Sequence, residues 1–190
     1  IRLVVKDETP AKAKIPYTID KVTIYPNFSI GKDSTGLQDD NIVKYNDFII
    51  VDSADTFNPR IFDRTVYLKK GKLYSNKNQN LTLNRFINLG VFKFVKNEFK
   101  PSDSIPDALD VNYYLTLLPK KFVRAEFEGS VNSASYTGFN VNLNWNNRNI
   151  FGGAELLTIA AYGGTDFQIS GENKGYNIYT LGGDASLIWP

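Results

Sequence analysis

From Lys121 to the end of the chain, apolar and polar positions alternate with a period of two. Val123, Ala125, Phe127, Gly129 and Val131 fall on one side, and Arg124, Glu126, Glu128 and Ser130 on the other. Phe139, Val141, Leu143 and Trp145 oppose a row of asparagines, Asn140, Asn142, Asn144 and Asn146. Tyr179, Leu181, Gly183, Ala185, Leu187 and Trp189 oppose Thr180, Gly182, Asp184 and Ser186. Side chains of a strand point alternately to its two faces, so the pattern predicts strands with one dry and one wet face. Residues 133–138 read as a turn. Residues 154–162 are apolar throughout, and the pattern leaves their faces unassigned.

Before Lys121 the texture is mixed. Residues 1–5 read as a strand without its beginning, followed by a linker over 6–16 that holds Pro10 and Pro16. Residues 17–25 alternate, with Tyr17, Ile19, Lys21, Thr23 and Tyr25 on one face and Thr18, Asp20, Val22 and Ile24 on the other. A turn-rich insertion over 27–40 precedes a short apolar strand at Phe48–Val51. Asn58 followed by Pro59 predicts a helix start, and Gly71 after Lys69 and Lys70 its end. Ile61, Thr65 and Leu68 make that helix's stripe, flanked by Phe62 and Val66. A second helix runs from Ser75 and Asn76 to Gly90, turning Leu83, Phe86 and Ile87 to the core. Strands over 91–100 and 108–118, joined by a hairpin at 101–107, complete an α+β unit with its helices on one face of a small sheet.

Composition narrows the chemistry. The 190 residues include no Cys and no His. Disulfides, thiolate metal sites, Ser-His-Asp triads and Cys-His dyads are therefore excluded. Met is absent too, so the chain reads as a processed or trimmed segment. A net charge of +2 gives no field of one sign, and no nucleic-acid partner is expected. Asp33, Asp39, Asp40, Asp52 and Asp55 lack the spacing of a calcium loop and read as solvated turns, so neither a metal nor a cofactor is expected. No apolar run approaches the ~20 residues of a membrane-spanning helix. That excludes insertion by helix, not by strands.

Period-two alternation suits a soluble sandwich as well as a membrane barrel, in which apolar side chains face lipid and polar ones a watery lumen. Three features favour the barrel. Segment lengths are near the ~9–11 residues of a tilted membrane strand. Trp145, Trp189 and Tyr162 fall near segment ends, where amphipathic rings suit the lipid–water interface. The wet faces hold asparagine rows and charges, and the dry faces include small residues, Ala125, Gly129 and Ala185.

The stretch from Val66-Tyr67-Leu68-Lys69-Lys70-Gly71 to Ser75, then Thr82-Leu83-Asn84-Arg85-Phe86-Ile87-Asn88-Leu89-Gly90-Val91-Phe92-Lys93, resembles a POTRA domain, the polypeptide-transport-associated module of the BamA/TamA outer-membrane assembly family. Pro16-Tyr17-Thr18-Ile19-Asp20-Lys21-Val22 is similar to that family's first POTRA strand. Leu109 to Leu115 with Pro119-Lys120-Lys121 resembles the last POTRA strand and its junction to the barrel. Asn147-Arg148-Asn149-Ile150-Phe151-Gly152-Gly153-Ala154-Glu155 resembles the turn between the second and third barrel strands. The insertion and the asparagine-rich style look most like the TamA-like branch from Bacteroidetes.

The resemblance implies an α+β POTRA domain (β-α-α-β-β) followed by antiparallel all-β strands of a truncated transmembrane β-barrel. Residues 1–16 would close a preceding POTRA domain and its linker, 17–119 form a POTRA domain with an insertion at about 27–57, and 120–190 supply about four barrel strands. Barrels begin at ~8 strands, so four cannot close, and an open sheet with raw edges should aggregate, pair or need detergent. The implied location is the bacterial outer membrane, with the POTRA part in the periplasm. The implied partners are unfolded or extended outer-membrane protein clients, the bilayer, and periplasmic or envelope-spanning proteins.

The implied role is non-enzymatic: capture of extended segments by strand addition, to insert or export outer-membrane or surface proteins. The expected capture edge is Val91, Phe92, Phe94, Val95 and Phe99. The expected seam strand is Phe122, Val123, Arg124, Ala125, Glu126, Phe127 and Glu128, and the turn motif is Asn147, Arg148, Asn149, Phe151, Gly152 and Gly153. A soluble β-rich binding module, for example for glycans on Tyr and Trp platforms, is the rival reading. Glu126 and Glu128, ~7 Å apart on one strand face, are the single candidate acid pair, and charged lumen residues explain them more simply.

Overall fold

The computed structural model describes residues 14–29, 42–131, 136–168 and 176–190. The chain divides into two compact units, Ile1–Leu118 and Pro119–Pro190. The strand expected at 1–5, most of the linker, the insertion residues Asp33, Asp39 and Asp40, and residues 133–135 of the turn expected at 133–138 lie outside the described residues, while residues 136–138 of that turn belong to a strand.

The first unit holds β1 (Thr18–Tyr25), β2 (Ile42–Tyr45), β3 (Phe48–Val51), α1 (Arg60–Thr65), α2 (Asn76–Asn88), β4 (Phe92–Pro101) and β5 (Ala108–Leu117). The strands form one sheet in the order β2-β3-β1-β5-β4. β1 lies at its centre, parallel to both β3 and β5, while β2–β3 and β4–β5 are antiparallel hairpins. Val22, Ile24, Phe48, Ile50, Val111, Tyr113 and Leu115 bury one side of the sheet. Phe62 from α1 and Phe86 from α2 pack there with Phe57, Phe92 and Tyr113, ring centroids 5.4–6.4 Å apart.

Sequence and structure part at four places here. Ile19 is buried with Val22 and Ile24, although it was expected on the face of Lys21. A register shift between Ile19 and Lys21 changes the phase of the strand by one. The first helix stops at Thr65, not near Lys70, because Val66 turns extended (φ −92°, ψ 118°). Two β-branched residues in succession weaken the helix there, and the Thr65 hydroxyl donates to Ile61 O at 2.7 Å. Lys69 Nζ donates to Asp63 O at 3.1 Å and pairs with Asp63 Oδ1 at 2.6 Å. On α2, Ile87 is 59% exposed instead of core-facing, and the buried neighbour of Phe86 is Thr82. Its hydroxyl is satisfied twice, accepting from Tyr67 N at 2.9 Å and donating to Asn78 O at 2.8 Å. β3 falls where the apolar strand was expected, but β2, which the sequence did not mark, pairs with it as an antiparallel hairpin at the sheet's edge. Asp52 beside it is buried, accepting from Thr56 N, Phe57 N and Asn27 Nδ2 at 2.7, 3.0 and 2.5 Å.

The second unit is one antiparallel sheet of β6 (Lys121–Val131), β7 (Tyr136–Arg148), β8 (Leu156–Gln168) and β9 (Ile178–Ile188), in chain order. The ladders align Val123–Trp145–Ile159–Ala185, Ala125–Leu143–Ala161–Gly183 and Phe127–Val141–Gly163–Leu181. Residues directly opposite share a face, so this register settles the faces of β8 that its own apolar run left open. It also relocates Tyr162, which was expected at a strand end. β8 continues to Gln168, and Tyr162 sits mid-strand on the polar face with its ring packed over Gly182.

Candidate functional site

Three features of the two units bear on function: a two-faced sheet, an open strand edge, and a clamped turn. The apolar face of β6–β9 is uncovered among the described residues. Phe127 is 78% exposed and Leu181 91%, with Val123, Phe139, Leu143 and Ile159 also open. A water-soluble sheet would bury such residues at roughly 25 cal/mol per Å² of gain. The four strands are 11, 13, 13 and 11 residues long, enough to cross a bilayer when tilted. Val123 to Val131 spans ~26 Å along the strand, against an apolar band ~25 Å tall in outer-membrane barrels. Trp189 just past the end of β9 stacks on Phe151 at 6.2 Å, and near the other end Tyr179 meets Phe167 edge-on at 6.3 Å.

The opposite face is polar. Asn140, Asn142, Asn144 and Asn146 line β7 between Glu128, Glu126, Arg124 and Phe122 on β6 and Gly164, Tyr162, Ala160 and Thr158 on β8. Thr158 Oγ1 donates to Asn146 Oδ1 at 2.8 Å, and Arg124 pairs with Glu126 at 3.9 Å with both side chains exposed. A shallow cavity of about 230 Å³ lies over Phe122, Arg124, Glu126, Asn144, Asn146 and Thr158. Both edges of this sheet, β6 and β9, are unpaired among the described residues.

In the first unit β4 is likewise an edge strand. Ser102 N donates to Ala108 O at 2.9 Å, which makes that pair hydrogen-bonded. Alternation along an antiparallel ladder then directs the N–H and C=O of Val95, Asn97 and Phe99 outward. Pro101 has the same parity, so its missing N–H costs the ladder nothing. The expected capture residues divide accordingly. Val91 precedes the strand and is buried, and Phe92 belongs to the aromatic core. Phe94 is 49% exposed, Val95 and Phe99 are half-buried, and Tyr74 meets Phe99 edge-on at 5.4 Å.

The turn between β7 and β8 is built around Glu155, a residue within the motif to which the sequence assigned no role. Its side chain, 1% exposed, accepts from Phe151 N and Gly153 N, both at 3.1 Å. Asn149 N donates to Glu155 O at 2.6 Å and Ala154 N to Asn149 Oδ1 at 2.9 Å. These bonds hold Asn149, Gly152 and Ala154 at φ 55°, 85° and 62°. A Cβ on Gly153 would collide with the Glu155 carboxyl group. Arg148 N donates to Lys120 O at 2.7 Å, its guanidinium to Pro119 O at 3.2 Å, and its plane lies 4.2 Å from the Phe122 ring. The turn motif therefore fixes the start of β6, while Phe151 projects from its tip.

No protein-family model matches the chain, and no curated protein matches it in sequence. Among solved structures, CdiB from Acinetobacter baumannii is similar over 80% of this chain, at 15% identity and a TM-score of 0.50. BamA from Haemophilus ducreyi lacking POTRA domains 1–3 aligns with 90% of the chain at 12% identity and a TM-score of 0.44. The chain spans 23% of the CdiB chain and 32% of the BamA chain. At 15% identity the likeness to CdiB is one of fold.

Proposed function

We propose that the chain is part of an outer-membrane β-barrel protein of the Omp85 type, the class of BamA and CdiB, acting in the assembly or secretion of outer-membrane or surface proteins. The observation that carries this reading is the uncovered apolar face of β6–β9, on strands of bilayer-crossing length backed by a polar face. Lipid satisfies the apolar side chains and the strand ladders satisfy the backbone. The missing neighbours of β6 and β9 are then further strands of the same barrel.

In this reading the first unit is a periplasmic POTRA-type module, supported by β1, α1, α2, β4 and β5 in that order with β5 inserted beside β1. The β2–β3 hairpin belongs to the insertion at about 27–57. The insertion and the asparagine rows favour the TamA-like branch. An extended client segment adds to the outward N–H and C=O groups of Val95, Asn97 and Phe99, a mode that needs no catalytic side chain. β6 is the seam strand through which clients enter or leave the barrel wall.

The test is a gel of the native outer-membrane fraction, boiled and unboiled, probed for this segment. The account expects a band well above 21.4 kDa that migrates faster unboiled, as closed barrels do. A soluble band without a heat shift replaces it with the binding-module reading.

A further inference from the structure

Resting on the membrane reading above, we infer that the end of the sheet marked by Lys120, Lys121, Phe151 and Trp189 is a binding site for the headgroups of anionic phospholipid. The apolar face carries a single Asp, Glu, Lys or Arg among the described residues, Lys121, and it stands in the last row of that face. That row reads Lys121–Asn147–Leu157–Leu187, with Trp189 two residues beyond Leu187 in the chain. Trp189 stacks on Phe151, and both rings are largely exposed.

Charge is segregated along the strands. Glu126, Glu128, Asp166 and Asp184 all lie on the polar face away from this end. The one carboxyl group at the turn, Glu155, is buried and faces inward to backbone N–H groups. Lys120 and Lys121 are exposed, with no carboxylate in ion-pair range among the described residues. A lysine at the border of an apolar face extends its stem along the hydrocarbon and its ammonium to the phosphate layer. Rings beside it occupy the glycerol level.

The geometry is preset. Arg148 N holds Lys120 O at 2.7 Å, so the lysine pair is tied to the rigid turn that presents Phe151. Four strands at ~4.8 Å spacing make a rim ~14 Å wide. The cations at one side and the stacked rings at the other complement a phosphate with its acyl chains lying down the apolar face. A net positive rim selects phosphatidylglycerol over zwitterionic phosphatidylcholine by electrostatics.

The test uses the full parent protein in vesicles containing photoactivatable phospholipids, with adducts located by mass spectrometry. A headgroup-level phosphatidylglycerol probe is expected to label the 119–122 and 151 region about fivefold more than its phosphatidylcholine counterpart, the ratio that one near-surface lysine supplies. Lys120→Gln with Lys121→Gln, or 0.5 M salt as an order-of-magnitude screening condition, should bring the ratio close to one. An acyl-chain probe should continue to label Phe127 and Leu181 in the variant. Equal labelling by the two headgroup probes, with acyl-chain labelling of Phe127 and Leu181 intact, overturns the phospholipid site alone. Absence of acyl-chain labelling overturns the membrane reading on which it rests.

Discussion

At the scale of single residues, buried polar groups decide local geometry. Glu155→Ala would leave Phe151 N and Gly153 N without their acceptor, a loss of roughly 2 kcal/mol, while Glu155→Gln keeps an oxygen and should lose less. Denaturant midpoints of the refolded parent protein distinguish the two. Asp110 behaves in the opposite sense. Desolvation holds its carboxyl above the ordinary carboxylate range, with Asp20 and Asp103 adding to the effect and Lys21 at 3.9 Å opposing it. An acid whose folded pKa is raised stabilises the fold below its unfolded pKa and loses that contribution as pH rises through the folded value. Asp110→Asn should therefore match or exceed the wild type in thermal midpoint at neutral pH, and this advantage should fade as the pH falls into the carboxylate range. A constant difference across that range would contradict the assignment.

At the scale of elements, the open edge of β4 makes a directional prediction. Asn97→Pro removes an N–H that faces outward, as Pro101 already does, whereas Glu98→Pro removes one that bonds to β5. The first should retain most thermal stability but lose binding to a peptide copied from the last strand of a native outer-membrane protein. The second should unfold the hairpin. Retained peptide affinity in Asn97→Pro, measured by calorimetry, would remove β4 as the capture edge. Elements were legible where one period persisted. The alternation of β6, β7 and β9 and the Ser75 cap of α2 could be read directly, because local pattern and final burial agree there. The phase of β1 and the exposure of Ile87 could not, since each depends on a partner distant in sequence: Asp110 for the bulge, β4 for α2; the end of α1 was masked by the stop signal at Gly71, which follows an extended segment held by Thr82. The hairpin of β2 was hidden because a four-residue edge strand carries almost no periodicity of its own. The turn motif was visible as a string, but the role of Glu155 was not, because an acid after Gly152-Gly153-Ala154 looks solvated until the fold buries it.

At the scale of the whole molecule, a net charge of +2 conceals a separation that matters more: acids on the polar face of the second sheet, lysines at one rim, and an apolar face between rings. Pairing register alone creates that separation, since a one-residue slip of β7 would move Asn140, Asn142, Asn144 and Asn146 onto the apolar face. The central claim is that this apolar face meets lipid and not a private protein core. Spin labels at consecutive positions 139 to 144 of β7 test it directly in the reconstituted parent protein, and the absence of Cys in this chain lets each introduced thiol report one site once any other cysteines of the parent are replaced. The account predicts that labels at Phe139, Val141 and Leu143 are relaxed by oxygen dissolved in the bilayer, and those at Asn140, Asn142 and Asn144 by a water-soluble nickel complex, in strict alternation. Odd positions that are immobilised and closed to both reagents would place them in a protein core and contradict the account.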